Sequence, residues 1–118
     1  MWTYEISTGA LRRDGELVGH GYSGKKGRWR NNPAACHEKA AGPIPPGRYR
    51  IGRPRQSART GPHVMDLTPI GHDALGRSAL QIHGDNRRGD ASSGCIVANR
   101  PIREHVSTSW DDVLEAIP

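Results

Sequence analysis

The sequence predicts a mainly β domain, and three observations predict it. Apolar and polar residues alternate with period two in several short stretches: Trp2, Tyr4 and Ile6 against Thr3, Glu5 and Ser7, and Leu80 and Ile82 against Gln81 and His83. That spacing puts one residue set on each face of a strand. The chain also carries 15 glycines and 9 prolines among its 118 residues, enough for a turn between each pair of short elements. Asp14-Gly15 is a strong hairpin turn between two such stretches. The length fits one domain, taken as residues 1–118.

In chain order, the first strand runs through Trp2, Tyr4 and Ile6, and Thr8-Gly9 turns it. A second strand reaches Arg13, and a third returns over Glu16 to Tyr22. Lys25 to Arg30 is a basic, glycine-containing loop, readable as a solvated turn or as a cleft wall for anionic groups. Asn32-Pro33 has the form of a helix start, with Asn as N-cap and Pro in the first turn. The short helix it predicts spans Ala34 to Ala41, closed by Gly42. Gly42-Pro43-Ile44-Pro45-Pro46-Gly47 cannot be helix interior or central strand. It leads into a strand over Arg48 to Gly52 with Tyr49 and Ile51 on one face. Further strands are expected over His63 to Thr68 and Ser78 to Gly84, with polar loops over Gly52 to Pro62 and Pro69 to Arg77. Arg100 to Val106 reads as one or two helical turns. Trp110, Val113, Leu114 and Ile117 fall at i, i+3, i+4 and i+7 behind a capping-box-like Ser109-Trp110-Asp111-Asp112. That pattern predicts a C-terminal helix packed on the sheet.

Charge narrows the partners without naming one. The net charge is +5 and the pI near 9.8, which favours an anionic partner. The basic residues are dispersed rather than gathered in a tract, and three Trp and three Tyr are too scattered for a base-stacking platform, so nucleic acid is disfavoured. No apolar run reaches the 18 residues of a membrane span. Met1-Trp2-Thr3-Tyr4-Glu5 lacks the form of a secretory signal, so the chain is expected to be made in the cytoplasm and to need another export route. Cys36 and Cys95 are read as free thiols, Cys36 packing in the core and Cys95 reactive.

The chemistry concentrates between Gln81 and Val97, Q-I-H-G-D-N-R-R-G-D-A-S-S-G-C-I-V, where eleven residues separate His83 from Cys95. With Leu80 and Ile82 facing the core, His83 is expected to face a cleft or solvent. The polar loop lets the chain turn back and present Cys95 beside it. A free thiol is only a few per cent thiolate at neutral pH, so a neighbouring base is needed. The expectation is a thiolate–imidazolium pair, with Arg87 and Arg88 adding positive potential. The Gly84 carbonyl is placed to fix the imidazole tautomer. Gly94 has backbone freedom that would let the N–H groups of Ser93, Gly94 and Cys95 converge on an oxyanion.

These residues resemble the L,D-transpeptidase (YkuD-like) catalytic domain, and within it the small branch used as type VI secretion effectors. The resemblance rests on Ile82-His83-Gly84-Asp85-Asn86 and Ser92-Ser93-Gly94-Cys95-Ile96. Upstream, Tyr22-Ser23-Gly24, Asn32-Pro33 and Gly42-Pro43-Ile44-Pro45-Pro46-Gly47-Arg48-Tyr49 follow in the family's order. It implies a β-sandwich or barrel. It also implies Cys95 as nucleophile, His83 as base and then acid, Gly84 as its orienting carbonyl, and Ser93, Gly94 and Cys95 as oxyanion donors. Tyr22, Ser23, Gly24, Asp85 and Ser92 would line the substrate site. The implied substrate is a peptidoglycan tetrapeptide stem containing diaminopimelate, with no cofactor. An immunity protein and a secretion machine are the implied partners, and the periplasm of a target cell is the implied place of action. The family often has His or Arg where Ser93 stands and Arg where Val97 stands. Those departures, with a short His-to-Cys loop, favour trimming or D-amino-acid exchange over cross-linking.

Two other readings compete. His63, His72, His83 and His105 with Asp73 and Asp85 would be the donors of a metal site, but their spacing follows no standard ligand pattern. The basic charge alone would suit a non-enzymatic binding module for an anionic cell-wall polymer.

Overall fold

The computed structural model describes all 118 residues. Ten strands and one α-helix follow one another: β1 Trp2–Glu5, β2 Ala10–Arg13, β3 Glu16–His20, β4 Tyr22–Ser23, β5 Gly47–Ile51, β6 Arg55–Ser57, β7 Gly61–Ile70, β8 Gln81–His83, β9 Ile96–Val97, α1 Arg100–Thr108 and β10 Val113–Ile117. The strand path is β3-β2-β1-β10-β5-β7-β8-β9-β4, with β6 added on β7. The two ends of that path, β3 and β4, are joined in the chain by Gly21 alone, so the sheet must curl until they meet. Gly21 donates its N–H to the Gly9 carbonyl at 2.8 Å. A Cβ on Gly21 would lie 2.3 Å from the Val97 oxygen, so only glycine closes the curl there.

The alternation read in the sequence places the core. Trp2, Tyr4, Tyr49, Ile82, Ile96 and Leu114 are fully buried, joined by Ile6, Leu11, Ile44 and Met65 in one cluster of 18 residues. Burying each large apolar side chain contributes about 1.5–3 kcal/mol against the ordering of a short-stranded chain. Helix α1 begins where Asn99 Oδ1 accepts from the Ile102 N–H at 3.1 Å, with a proline in its first turn. Ile102, Arg103 and Val106 face inward from it.

Three local expectations give way to tertiary structure. Residues 113–117 form β10, not a helix, pairing parallel with β1 and antiparallel with β5. Val113-Leu114-Glu115-Ala116-Ile117 also alternates, and Leu114 and Ala116 are the buried pair. Trp110 is 94% exposed at φ 61°, so it was never part of an apolar face. Ser109 Oγ accepts from the Asp111 N–H at 3.2 Å in a turn, and Asp111 binds the N-terminal amine at 2.7 Å.

The helix predicted over Ala34 to Ala41 shrinks to a 3₁₀ turn, Pro33–Ala35, though Asn32 caps it as expected with Oδ1 accepting from Ala34 N–H at 3.1 Å. Beyond it the chain folds back until Gly42 lies against the Ala35 carbonyl, too close for any Cβ. Gly52 to Pro62, expected as a loop, contains β6 and the start of β7.

Candidate active site

Strands β8 and β9 run parallel in register, Ile82 beside Ile96 and His83 beside Val97. Ile82 and Ile96 point into the core, so by alternation His83, Cys95 and Val97 lie on the opposite side. His83 and Cys95 both line one cleft of about 430 Å³. His83 is only 3% exposed, so of the two expected settings, cleft or solvent, the structure gives the cleft. Its Nδ1 donates to the Gly84 carbonyl at 2.7 Å, which leaves the Nε2 lone pair as the basic site.

Cys95 is half-buried and Cys36 half-buried, and both are free thiols. The Cys95 sulfur donates to the Ala79 carbonyl at 3.5 Å. Burial pushes the Cys95 thiol above its ordinary value. The Gln81 N–H, Arg77 and Arg59 oppose that rise, and Asp66 adds to it. Burial pushes His83 below its ordinary value, with Arg103 helping and the Gly84 carbonyl and Asp85 opposing. Both shifts run against the expected thiolate–imidazolium pair, since each favours the uncharged form of its group. Arg87 and Arg88 do not charge this cleft; both are exposed, and Arg88 pairs with Asp90 at 3.5 Å.

The loop before the cysteine is fixed through its carbonyls. Ser23 Oγ, fully buried, donates to the Gly94 carbonyl at 3.1 Å and accepts from the Ile44 N–H at 2.9 Å. A trans peptide holds C=O and N–H antiparallel, so drawing the Gly94 oxygen inward turns the Cys95 N–H outward. Ser92 Oγ accepts from Gly24 N–H at 2.9 Å and Gly94 N–H at 3.2 Å, and donates to the Cys95 carbonyl at 2.7 Å. Gly94's N–H is therefore already engaged, which reduces the three expected oxyanion donors to Ser93 and Cys95.

Ser23, Gly24 and Ser92, expected to line the substrate site, are buried inside the framework and brace the loop instead. Tyr22 donates to Asp85 Oδ1 at 2.6 Å and accepts from the Ala91 N–H at 3.1 Å, closing the loop between His83 and Cys95 at its base. The basic loop joins that closure. Lys26 donates to the Arg88 carbonyl at 2.7 Å and Arg30 to the Gly89 carbonyl at 2.8 Å, while the Arg30 guanidinium stacks on Tyr22 at 3.8 Å.

Two functional-looking residues were missed in the sequence. Arg77 and Arg103 are buried arginines with no carboxylate partner, bonded to backbone carbonyls. Arg77 sat in a loop and had no periodic context to mark it. Arg103 could have been found, because it lies between Ile102 and Val106 on the inner face of α1. The histidines considered as metal donors are dispersed. His63 bonds to Ser107 Oγ at 2.8 Å, His72 to the Arg48 carbonyl at 2.9 Å, and His105 packs edge-on to Trp2.

The curled sheet and its His–Cys cleft place the chain in the L,D-transpeptidase fold class. The L,D-transpeptidase (Yku) from Stackebrandtia nassauensis is similar in structure, with a TM-score of 0.55 at 12% identity, over 99% of this chain and 54% of that one. The chain thus spans about half the length of that relative. Residues 18–112 match the Tlde1 domain, and the chain belongs to that family. No curated protein matches the sequence.

Proposed function

We propose that this domain is a cysteine acyltransferase acting on peptidoglycan stem peptides, chiefly as an L,D-carboxypeptidase or D-amino-acid exchanger, and that it serves as an antibacterial effector. The observation that carries the reading is the pairing of β8 with β9, which opens His83 and Cys95 into one cleft while the Gly84 carbonyl frees Nε2. No helix here is long and apolar enough to cross a membrane, which fits action at the wall after delivery.

The chemistry follows from a neutral resting pair. Cys95 swings off the Ala79 carbonyl, its proton passes to His83 Nε2, and the sulfur bonds to the carbonyl carbon between an L-centre and the terminal D-amino acid. The electron pair of the C=O moves to oxygen, where the Ser93 and Cys95 N–H groups receive it. Each such donor is typically worth about 3 kcal/mol in the transition state. The intermediate collapses, the C–N bond breaks, and His83 returns its proton to the departing amine, leaving a thioester. Water, deprotonated by His83, then attacks the thioester; the sulfur departs and regains the proton, releasing the trimmed peptide. A D-amino acid in place of water gives exchange.

Incubating purified disaccharide-tetrapeptide with the domain and resolving products by mass spectrometry tests this. Release of the terminal D-amino acid by wild type, and none by folded Cys95→Ala or His83→Ala, is the expected result. Turnover that survives either substitution rejects the mechanism. Polymer binding without turnover by wild type would instead favour the binding-module reading.

A further inference from the structure

Arg77 is 9% exposed and lies in the wall of the cleft beside Cys95. Both of its terminal amino groups are committed to carbonyl oxygens: Nη1 donates to Cys36 at 2.9 Å and Pro43 at 2.6 Å, and Nη2 to Gly42 at 2.9 Å and Ser93 at 3.0 Å. No carboxylate pairs with it. Carbonyl dipoles solvate a buried cation only in part, and a buried charge without a counter-ion is costly. The group also packs directly under the turn that precedes the cysteine, since a Cβ on Gly94 would lie 2.2 Å from Nη2.

We propose that Arg77 is the positioning residue of the nucleophile turn and the fixed counter-charge for the anion that forms at Cys95 during reaction. The proposal rests on the acyl-transfer reading above. Its positional half comes from the Ser93 carbonyl. Drawing that oxygen down to Nη2 turns the Gly94 N–H the other way, onto Ser92 Oγ, and so locks the shape that leaves the Ser93 and Cys95 N–H groups free. Its electrostatic half comes from the unneutralised charge. The resting thiol adds no charge, so the cation meets its partner only when negative charge develops on sulfur and then on the carbonyl oxygen. Stabilisation that appears only then lowers the barrier rather than tightening ground-state binding.

The other groups that bear on the sulfur are Arg59 from the β6–β7 turn, Asp66 on β7 and the Gln81 backbone N–H, while His83 on β8 shares the cleft. Arg59 is exposed and water-screened, and Asp66 is already held by Arg55 at 2.9 Å. Arg77 is therefore the one buried, unpaired cation at this sulfur.

The test reads the sulfur directly and needs no peptide. In a Cys36→Ser background only Cys95 reacts with iodoacetamide, and the alkylation rate is followed from pH 6 to 10. Removing the charge with Arg77→Met should slow alkylation at pH 7 about tenfold and move the midpoint of the profile alkaline. Arg77→Lys keeps charge but loses the planar fan of donors, so its profile should stay close to wild type while kcat falls at least tenfold with KM little changed. An unchanged alkylation profile in folded Arg77→Met overturns the counter-charge role. Wild-type kcat in Arg77→Lys overturns the positioning role, and an alkaline shift of its alkylation profile despite the retained charge overturns the counter-charge role, so this variant decides alone if Arg77→Met does not fold. Absence of any turnover by wild type would sink the acyl-transfer reading, yet the alkylation result would still stand or fall by itself.

Discussion

The Ser23 hydroxyl donates to the Gly94 carbonyl at 3.1 Å across 71 positions of sequence. This one bond ties the end of β4 to the residue before the cysteine and sets where the Cys95 N–H points. Ser23→Ala removes that donor and leaves the Ile44 N–H without its acceptor inside a closed interior. The expected loss of stability is about 1–3 kcal/mol. The expected fall in kcat is about tenfold to a hundredfold, because a misdirected N–H no longer meets the oxyanion. Urea unfolding and steady-state release of the terminal D-amino acid separate the two effects. A stability loss with kcat intact would show that Ser23 merely packs.

Gly94→Ala should be the most damaging single methyl in the loop. Gly94 has φ +145°, a conformation side-chain-bearing residues avoid, and its Cβ would strike the Arg77 guanidinium. Turnover should fall by more than a hundredfold, with purified protein checked by circular dichroism for a native sheet. Activity near wild type would mean that the turn can relax without cost.

His83 should make the fold acid-sensitive above the range where carboxylates titrate. Burial holds the imidazole neutral in the folded state, so its value lies below that of the unfolded chain. Between those two values the unfolded chain binds a proton that the folded chain refuses. Stability is therefore fully present above about pH 6.5 and declines as pH falls through the lower, folded value. The carboxylates that are pulled down by partners, among them Glu38, Asp66 and Asp111, act at lower pH and in a separate window. Urea midpoints from pH 7.5 to 5 should drop for wild type and stay flatter for His83→Gln. Equal slopes would place the sensitivity elsewhere. Turnover should show an acid limb in the same region, because the base must be neutral to accept the thiol proton.

Tyr22→Phe should loosen the loop between His83 and Cys95 without emptying the core. The phenol bridges Asp85 and the Ala91 N–H, and the ring itself, which carries Arg30, stays in place. A stability loss of about 0.5–1.5 kcal/mol and a several-fold rise in KM are expected, with faster amide hydrogen exchange over 85–91. Unchanged exchange would assign the closure to Lys26 and Arg30 alone.

The strands through Trp2, Tyr49 and Ile82 were legible because their alternation is enforced by one buried face, and no helix satisfies a period of two. The His83–Gly84 bond was legible for a similar reason: the partner is the next residue, so no knowledge of distant chain is needed. Residues 113–117 were not, since Val-Leu-Glu-Ala-Ile satisfies both periods and Trp110 counterfeits a helical face. What decides between them is the vacancy between β1 and β5, which no local pattern contains. The supporting roles of Ser23 and Ser92 were hidden likewise. A serine reads as polar contact material until the fold encloses it. Arg77 carries no pattern at all, because its four acceptors come from two distant turns.

The placement of β10 bears on how such a domain could be handled as a thread. β10 lies between β1 and β5, and the Ile6 and Ser7 N–H groups close onto Ile117 and Pro118 at 2.8 and 3.0 Å. β10 is thus the strand that joins the two halves of the sheet. Until it is seated, the other strands have neighbours to find on only one side of that gap. The chain should consequently remain pliable and catalytically silent for as long as β10 is kept out of that slot, as it would be while threaded through a pore.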